Sequence, residues 1–399
     1  MADRTRKTSI FFKQELTYGA EDTSSTSDGS GFTAVKCLTV DLLTNPQAQL
    51  EANFATGRNR VSPAIMGPDS AQVTFTTPIQ GLVSFAGDGT NASTISNDYL
   101  DFIMINLLGS ASTTAGDGLD AASTASSLVT DESAPFTNQD MVAVQGASFD
   151  SGRVNWRRVA GTASPYTLDR DFNATPDGSE VAYGAKMYRP GTPGASLSVC
   201  YNLDGVVYLL LGGRVTSMSM AMNAGELATV SVTMDFDSLT DDTSTKTALP
   251  SIDTFAGTPI KGVLGSFAWG STEYAAKSVS IDFGVGAQPD QTVTTTNGRS
   301  DINIISCNPT VAVEPAFATN WSTDFKAGTA RILSVQFGSG VVSGGVLNGC
   351  SFYAESARLT SAEASDDGGR LRDSLAFSVV DEGIFTGAIV SEYFQFSRA

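Results

Sequence analysis

The sequence predicts a mainly β protein in which one fold is used twice, with a small extra β-module inserted in the first copy. Two spaced repeats and the texture of the apolar segments carry that prediction. Lys36-Cys37-Leu38-Thr39-Val40-Asp41-Leu42 recurs 241 positions later as Lys277-Ser278-Val279-Ser280-Ile281-Asp282-Phe283, and the same offset carries Gln47 onto Gln288 and Gly57-Arg58 onto Gly298-Arg299. A second block recurs at an offset of 144: Gly205 falls on Gly349, Tyr208 on Phe352, Arg214-Val215-Thr216-Ser217 on Arg358-Leu359-Thr360-Ser361, and Gly225 and Leu227 on Gly369 and Leu371. The apolar segments are short, rich in Val, Thr, Phe and Tyr, and separated by Gly, Ser and Thr, the pattern of strands joined by turns. Duplication puts two copies of one interface on one chain, as in a building block.

The elements follow in order. Thr8 to Tyr18 reads as an edge strand, and 19–31 as a polar loop or arm that orders on contact, so 1–31 forms an N-terminal arm. The first copy spans 32–237, with strands at 34–42, 48–55 and 70–80. Ser96, Asn97 and Asp98 offer N-cap chemistry to a helix from Tyr99 to Leu108, and Gly109 suits its end. That helix is apolar except for Asp101 and Asn106, which predicts burial against a sheet. Residues 110–130 read as loop. Four short strands at 140–144, 154–159, 166–168 and 180–183, punctuated by Gly146, Gly152, Gly161 and Pro176-Asp177-Gly178, suggest an SH3-like module at 136–185, with Trp156 as its core anchor. From Arg58 to Leu197 is 139 positions and from Arg299 to Leu333 is 34, an excess of 105 that the module and its flanks largely fill.

The first copy resumes at Leu197-Ser198-Val199 and continues through strands at 206–221 and 226–237. A polar linker follows at 238–256. The second copy, 257–382, has strands at 276–285, 291–296, 302–314, 331–335, 349–362 and 370–380, and a helix from Asn320 to Ala327 ended by Gly328. The tail, 383–399, is rich in Ile384, Phe385, Tyr393, Phe394 and Phe396.

Composition narrows the chemistry. The 399 residues contain no histidine, which removes the commonest general base and metal ligand, so no catalytic residue, cofactor or metal site is assigned. Cys37, Cys200, Cys307 and Cys350 form no CxxC pair and read as free thiols. Asp241-Asp242 and Asp366-Asp367 lack the ligand spacing of a calcium loop and read as solvated turns. A net charge of −18 disfavours tight nucleic-acid binding; it suits either simple solubility or a surface past which DNA slides. Neither a secretory signal nor a membrane-length apolar run is present, so synthesis in the cytoplasm is expected.

The run from Tyr188-Arg189-Pro190 through Leu197-Ser198-Val199, Asp204-Gly205, Gly212-Gly213-Arg214-Val215 and Ala224-Gly225-Glu226 to Met234-Asp235-Phe236 resembles the hairpin segment of the tail tube proteins of long-tailed bacteriophages. Glu15-Leu16-Thr17-Tyr18-Gly19 and Lys277 to Arg299 share the likeness. The resemblance implies tandem β-sandwich or barrel domains, each with a flanking helix, that self-assemble into stacked rings in the virion tail. It further implies tail terminator and tail-tip proteins as partners, with tape measure protein and DNA passing inside without tight binding. Six tube domains normally line a ring, so a chain holding two completes it as a trimer. An outward-facing module would obstruct a contractile sheath, which favours a non-contractile tail. The hairpins at 206–237 and 349–380 are the candidate pairing strands. Asp235, Asp237, Asp373 and Asp381 are the candidate lumen carboxylates. The loop at 19–31 and the tail, through Ile384, Phe385, Tyr393, Phe394 and Phe396, are the candidate ring-to-ring contacts. The rival reading is an adhesion protein whose module binds a receptor or glycan.

Overall fold

A computed structural model describes residues 8–20, 31–45, 49–50, 65–66, 70–81, 98–114, 116–131, 135–146, 149, 154–203, 206–242, 249, 259–263, 265–292, 299–316, 321–342, 346–367, 369–380 and 394–398. The first half supplies β1 (Thr8–Gln14), β2 (Thr33–Val35), β3 (Thr39–Asn45), β4 (Ser70–Pro78), α1 (Tyr99–Leu108), β5 (Leu197–Leu203), β6 (Val206–Asn223) and β7 (Thr229–Phe236). The second half supplies β8 (Ser266–Trp269), β9 (Thr272–Tyr274), β10 (Ala276–Asp282), β11 (Thr310–Pro315), α2 (Trp321–Ala327), β12 (Ala330–Val342), β13 (Val346–Asp367) and β14 (Arg370–Val379). A last strand, β15 (Phe394–Arg398), ends the chain's described part.

Each strand of the second half stands where the strand numbered seven lower stands in the first. Pairing runs β2-β1-β5-β6-β7-β4-β3 in one half and β9-β8-β12-β13-β14-β11-β10 in the other, antiparallel throughout. The two halves therefore share one topology. Strict alternation explains how each sheet finds its core: in β7, Val230, Val232, Met234 and Phe236 point inward while Thr229, Ser231, Thr233 and Asp235 point out.

Helix α1 forms where its local signals place it. Asp98 caps it, accepting from the Asp101 backbone N–H at 3.0 Å, while the Asp101 carboxylate accepts from the Asp98 N–H at 3.4 Å. Gly109, at φ 79°, closes it in the left-handed conformation that glycine adopts without a Cβ clash. The helix buries even Asn106, whose amide donates to Ala195 O and Gly213 O and accepts from Val215 N.

Several expectations give way to longer-range pairing. The first strand is not an edge: β1 lies between β2 and β5, with Ile10, Phe11 and Phe12 buried. The expected linker begins as a strand, Ser238–Asp242, that continues the β7 ladder along β6 and includes Asp241-Asp242. Residues 110–130 are not all loop, for Gly109–Thr113 pairs with Lys186–Pro190. Asp117–Gly118 and Ser127–Leu128 belong to the inserted module.

That module has six strands, ordered Asp117–Gly118, Val181–Tyr183, Met141–Gln145, Asn155–Ala160, Tyr166–Leu168 and Ser127–Leu128. A bridge from Leu119 to Thr130 joins the two ends and closes a small barrel around Leu128, Val142, Val144, Val159 and Tyr166. Trp156 is buried outside that core. It sits in the seam between module and second half with Met141, Met187, Leu347 and Tyr353, and its backbone N–H donates to Gln336 Oε1 at 2.9 Å. Beside it, fully buried Arg157 lies 3.3 Å from Glu273 and stacks 4.8 Å above the Phe172 ring.

Candidate functional site

The feature most suggestive of assembly is the joint between the halves. Strand β6 is long enough to serve two partners on one side: β5 over its first part and β10 over its last five residues. The β10 register runs from Ser219↔Asp282 through Met220↔Ile281, Ala221↔Ser280 and Met222↔Val279 to Asn223↔Ser278. Residues 219–221 also pair with β7, so β10 occupies the opposite edge. The joint buries Met220 and Met222 with Val279 and Ile281, which keep 8% and 0% of their exposure. A hairpin of Val285–Gln291 and Arg299–Cys307 leans back over it, and Arg214 pairs with Asp301 at 3.1 Å.

The joint fuses the halves into one continuous sheet, ordered β3-β4-β7-β6-β10-β11-β14-β13. Among the described residues, β3 pairs only with β4, and β13 beyond 359 pairs only with β14, so each end of this sheet is an open edge. Open edges invite pairing with another chain.

One face of the sheet is built from small polar side chains. Thr74 and Thr233 meet across strands at 3.2 Å, Thr76 and Ser231 at 2.9 Å, and Gln72 Nε2 donates to Asp235 Oδ1 at 2.7 Å. Ser219, Ser280, Thr310 and Ser378 continue the same face across the joint, as the pairing register requires. The signal for this lay in the sequence, in Val73-Thr74-Phe75-Thr76 and Val230-Ser231-Val232-Thr233, where every second residue is a hydroxyl.

The candidate carboxylates scatter. Asp235 lies on the hydroxyl face, half-buried. Asp237 is only 7% exposed: the strand ends at Phe236, and Asp237 turns inward beside Tyr18, whose hydroxyl pKa is pushed up by burial and then by that carboxylate. Asp373 is 6% exposed and shares the inward parity of Leu375 and Phe377. Neither of these two lines the exposed face. Asp381 lies outside the described residues, as do Ile384, Phe385 and Tyr393.

Phe394 and Phe396 also take a role other than the expected one. In β15 they are fully buried, because the strand inserts between β13 and Lys186–Pro190 and stitches the second half to the first. Their rings pack on Phe352 and Tyr188. Inside the chain's own core they offer no surface to a neighbouring ring.

At the end of β15, Arg398 is fully buried and reaches Asp98 at 2.7 and 3.0 Å, Asp101 at 2.6 Å and the Tyr188 hydroxyl at 2.9 Å. Lys186 also holds Asp101. Burial alone would raise the Asp101 pKa; the Arg398 and Lys186 charges outweigh it and hold the carboxyl below its ordinary value. Long-range networks of this kind leave no local sequence signal. The cluster is a structural clamp between the capped helix and the chain end.

No group of three or more His, Cys, Asp or Glu poised to hold a metal occurs among the described residues. No described helix is long and apolar enough to cross a membrane. A search of curated proteins gives no match. A family model described as phage tail tube protein matches residues 5–379, and a match over nearly the whole chain places this protein in the phage tail tube protein family.

Proposed function

We propose that three copies of this chain close into a ring with pseudo-sixfold symmetry, and that rings stack into the hollow tube of a phage tail through which DNA passes. The observation that carries this is the internal joint. Two halves of one topology already meet edge to edge in a continuous sheet that, among the described residues, ends in two open edges. Six such halves closing on themselves remove every open edge of that sheet, turning an aggregation liability into an interface.

The hydroxyl face then lines the channel. Its side chains are short and mostly uncharged, and the chain's net charge of −18 adds repulsion of phosphate, so DNA slides without gripping. The inserted barrel packs on β12 and β13, away from the β6–β10 joint, which supports an outer position and a tail without a contractile sheath. Segment 19–31 and Ile384, Phe385 and Tyr393 are assigned to ring-to-ring contact, and terminator, tip and tape measure proteins to the tube's ends and lumen. Native mass spectrometry with negative-stain microscopy of the purified protein tests the reading. Three-chain rings and stacked tubes are expected; monomers, or rod-like trimers without a pore, would contradict it.

A further inference from the structure

The geometry points to a specific seam between neighbouring copies: β3 of one chain joins the free end of β13 of the next, antiparallel, in the register that already joins β10 to β6. This rests on the ring reading above and names the strands that close it. The correspondence of the halves makes β3 the counterpart of β10 and β13 that of β6. The offsets of 241 and 144 then carry each pair of the internal joint onto a pair between chains. Ser219↔Asp282 becomes Glu363↔Asp41, Met220↔Ile281 becomes Ala364↔Val40, Ala221↔Ser280 becomes Ser365↔Thr39, and Met222↔Val279 becomes Asp366↔Leu38.

Exposure distinguishes the occupied joint from the vacant one. Val279 and Ile281, covered by β6, are buried, whereas their counterpart Leu38 is 55% exposed and Val40 only half-buried. On the other side of the seam Leu371 of β14, the register partner of Asp366 in β13, is 61% exposed. An exposed apolar side chain thus stands on each side of the seam, Leu38 just before β3 and Leu371 one strand behind the β13 edge, in the row that the register would align. A second copy of the chain is the occupant because each edge is the counterpart of one already seated on its complement within the molecule.

Paired cysteines test the register. Thr39→Cys with Ser365→Cys places both thiols on the exposed face of the seam, the counterparts of Ser280 and Ala221. Ser280→Cys with Ala221→Cys is the control within one chain. Thr39→Cys with Ala364→Cys puts the thiols on opposite faces, where a disulfide cannot span, so its yield should be about ten-fold lower. After assembly and mild oxidation, the matched pair should give covalent dimers and closed trimers on non-reducing gels, reversed by reductant. Should that pair block assembly, Asp41→Cys with Glu363→Cys offers a second pair on the same face. Tubes that form normally but give no matched-pair links, or link best in the shifted register, would overturn the seam and leave the tube function standing. Failure of the unsubstituted chain to form rings would overturn both.

Discussion

Arg398, at the end of β15, ties the strand that links the two halves to the capped helix of the first. It lies against Asp98 and Asp101, and Asp101 has no exposed surface through which water could take over. Arg398→Met should destabilise the chain by about 3–5 kcal/mol, because it breaks a largely buried charge network in which Asp98 loses its guanidinium partner and Asp101 keeps only Lys186. Urea denaturation read by circular dichroism checks this. The pH dependence has a definite sign. Asp101 is held below its unfolded value of about 3.9, so its contribution is complete above that value and is lost as pH falls through the folded one. Melting temperature should therefore drop on acidification below about pH 4, less steeply in Asp101→Asn. Trp156→Ala should cost about 3–5 kcal/mol and loosen the module from the second half, seen as easier proteolytic release of the barrel. None of these roles was legible in the sequence, since Arg398 meets Asp101 across 297 positions. The aromatic tail read as a docking surface for the same reason: Phe394 and Phe396 find their partners only once β15 is threaded home.

At the scale of elements, local signals succeeded and pairing did not. Helix α1 was readable from Asp98, Gly109 and ten residues between them, because each hydrogen bond that makes and caps it joins residues only three or four apart. The two-residue strands that complete the barrel carry no periodicity to read, and β1 passed for an edge because its neighbours β2 and β5 lie far apart in sequence. Of the acidic residues expected on an exposed face, strand parity buries Asp373 and a chain turn buries Asp237; the hydroxyl face carries Asp235, Asp41 and Asp282 among its Ser and Thr side chains instead. At the seam, Leu38→Asp, at a position 55% exposed in the single chain, should leave a folded, soluble chain with unchanged circular dichroism that forms no rings by size-exclusion chromatography. The seam also departs from its template, for Glu363 would oppose Asp41 where Ser219 opposes Asp282. Like charges directly opposite on a sheet cost about 0.2–1 kcal/mol per pair, a penalty that salt screens. Ring formation should accordingly rise with ionic strength, and Glu363→Ser should remove part of that dependence, as light scattering during assembly would record.

For the whole molecule, the repeat at offsets 241 and 144 revealed that there are two copies, and the strand pairings show that both copies share one order. What spacing does not reveal is how the copies meet, because the β6–β10 joint is set by side chains from both halves burying one another. Two halves per chain, joined edge to edge with both outer edges open among the described residues, make the number of chains per ring the decisive quantity. Cryo-electron microscopy of assembled tubes measures it directly. Three chains per ring, with an unbroken sheet crossing β6–β10 and β13–β3 alternately, is the expected result; six chains per ring, or a channel not lined by this sheet, would contradict it.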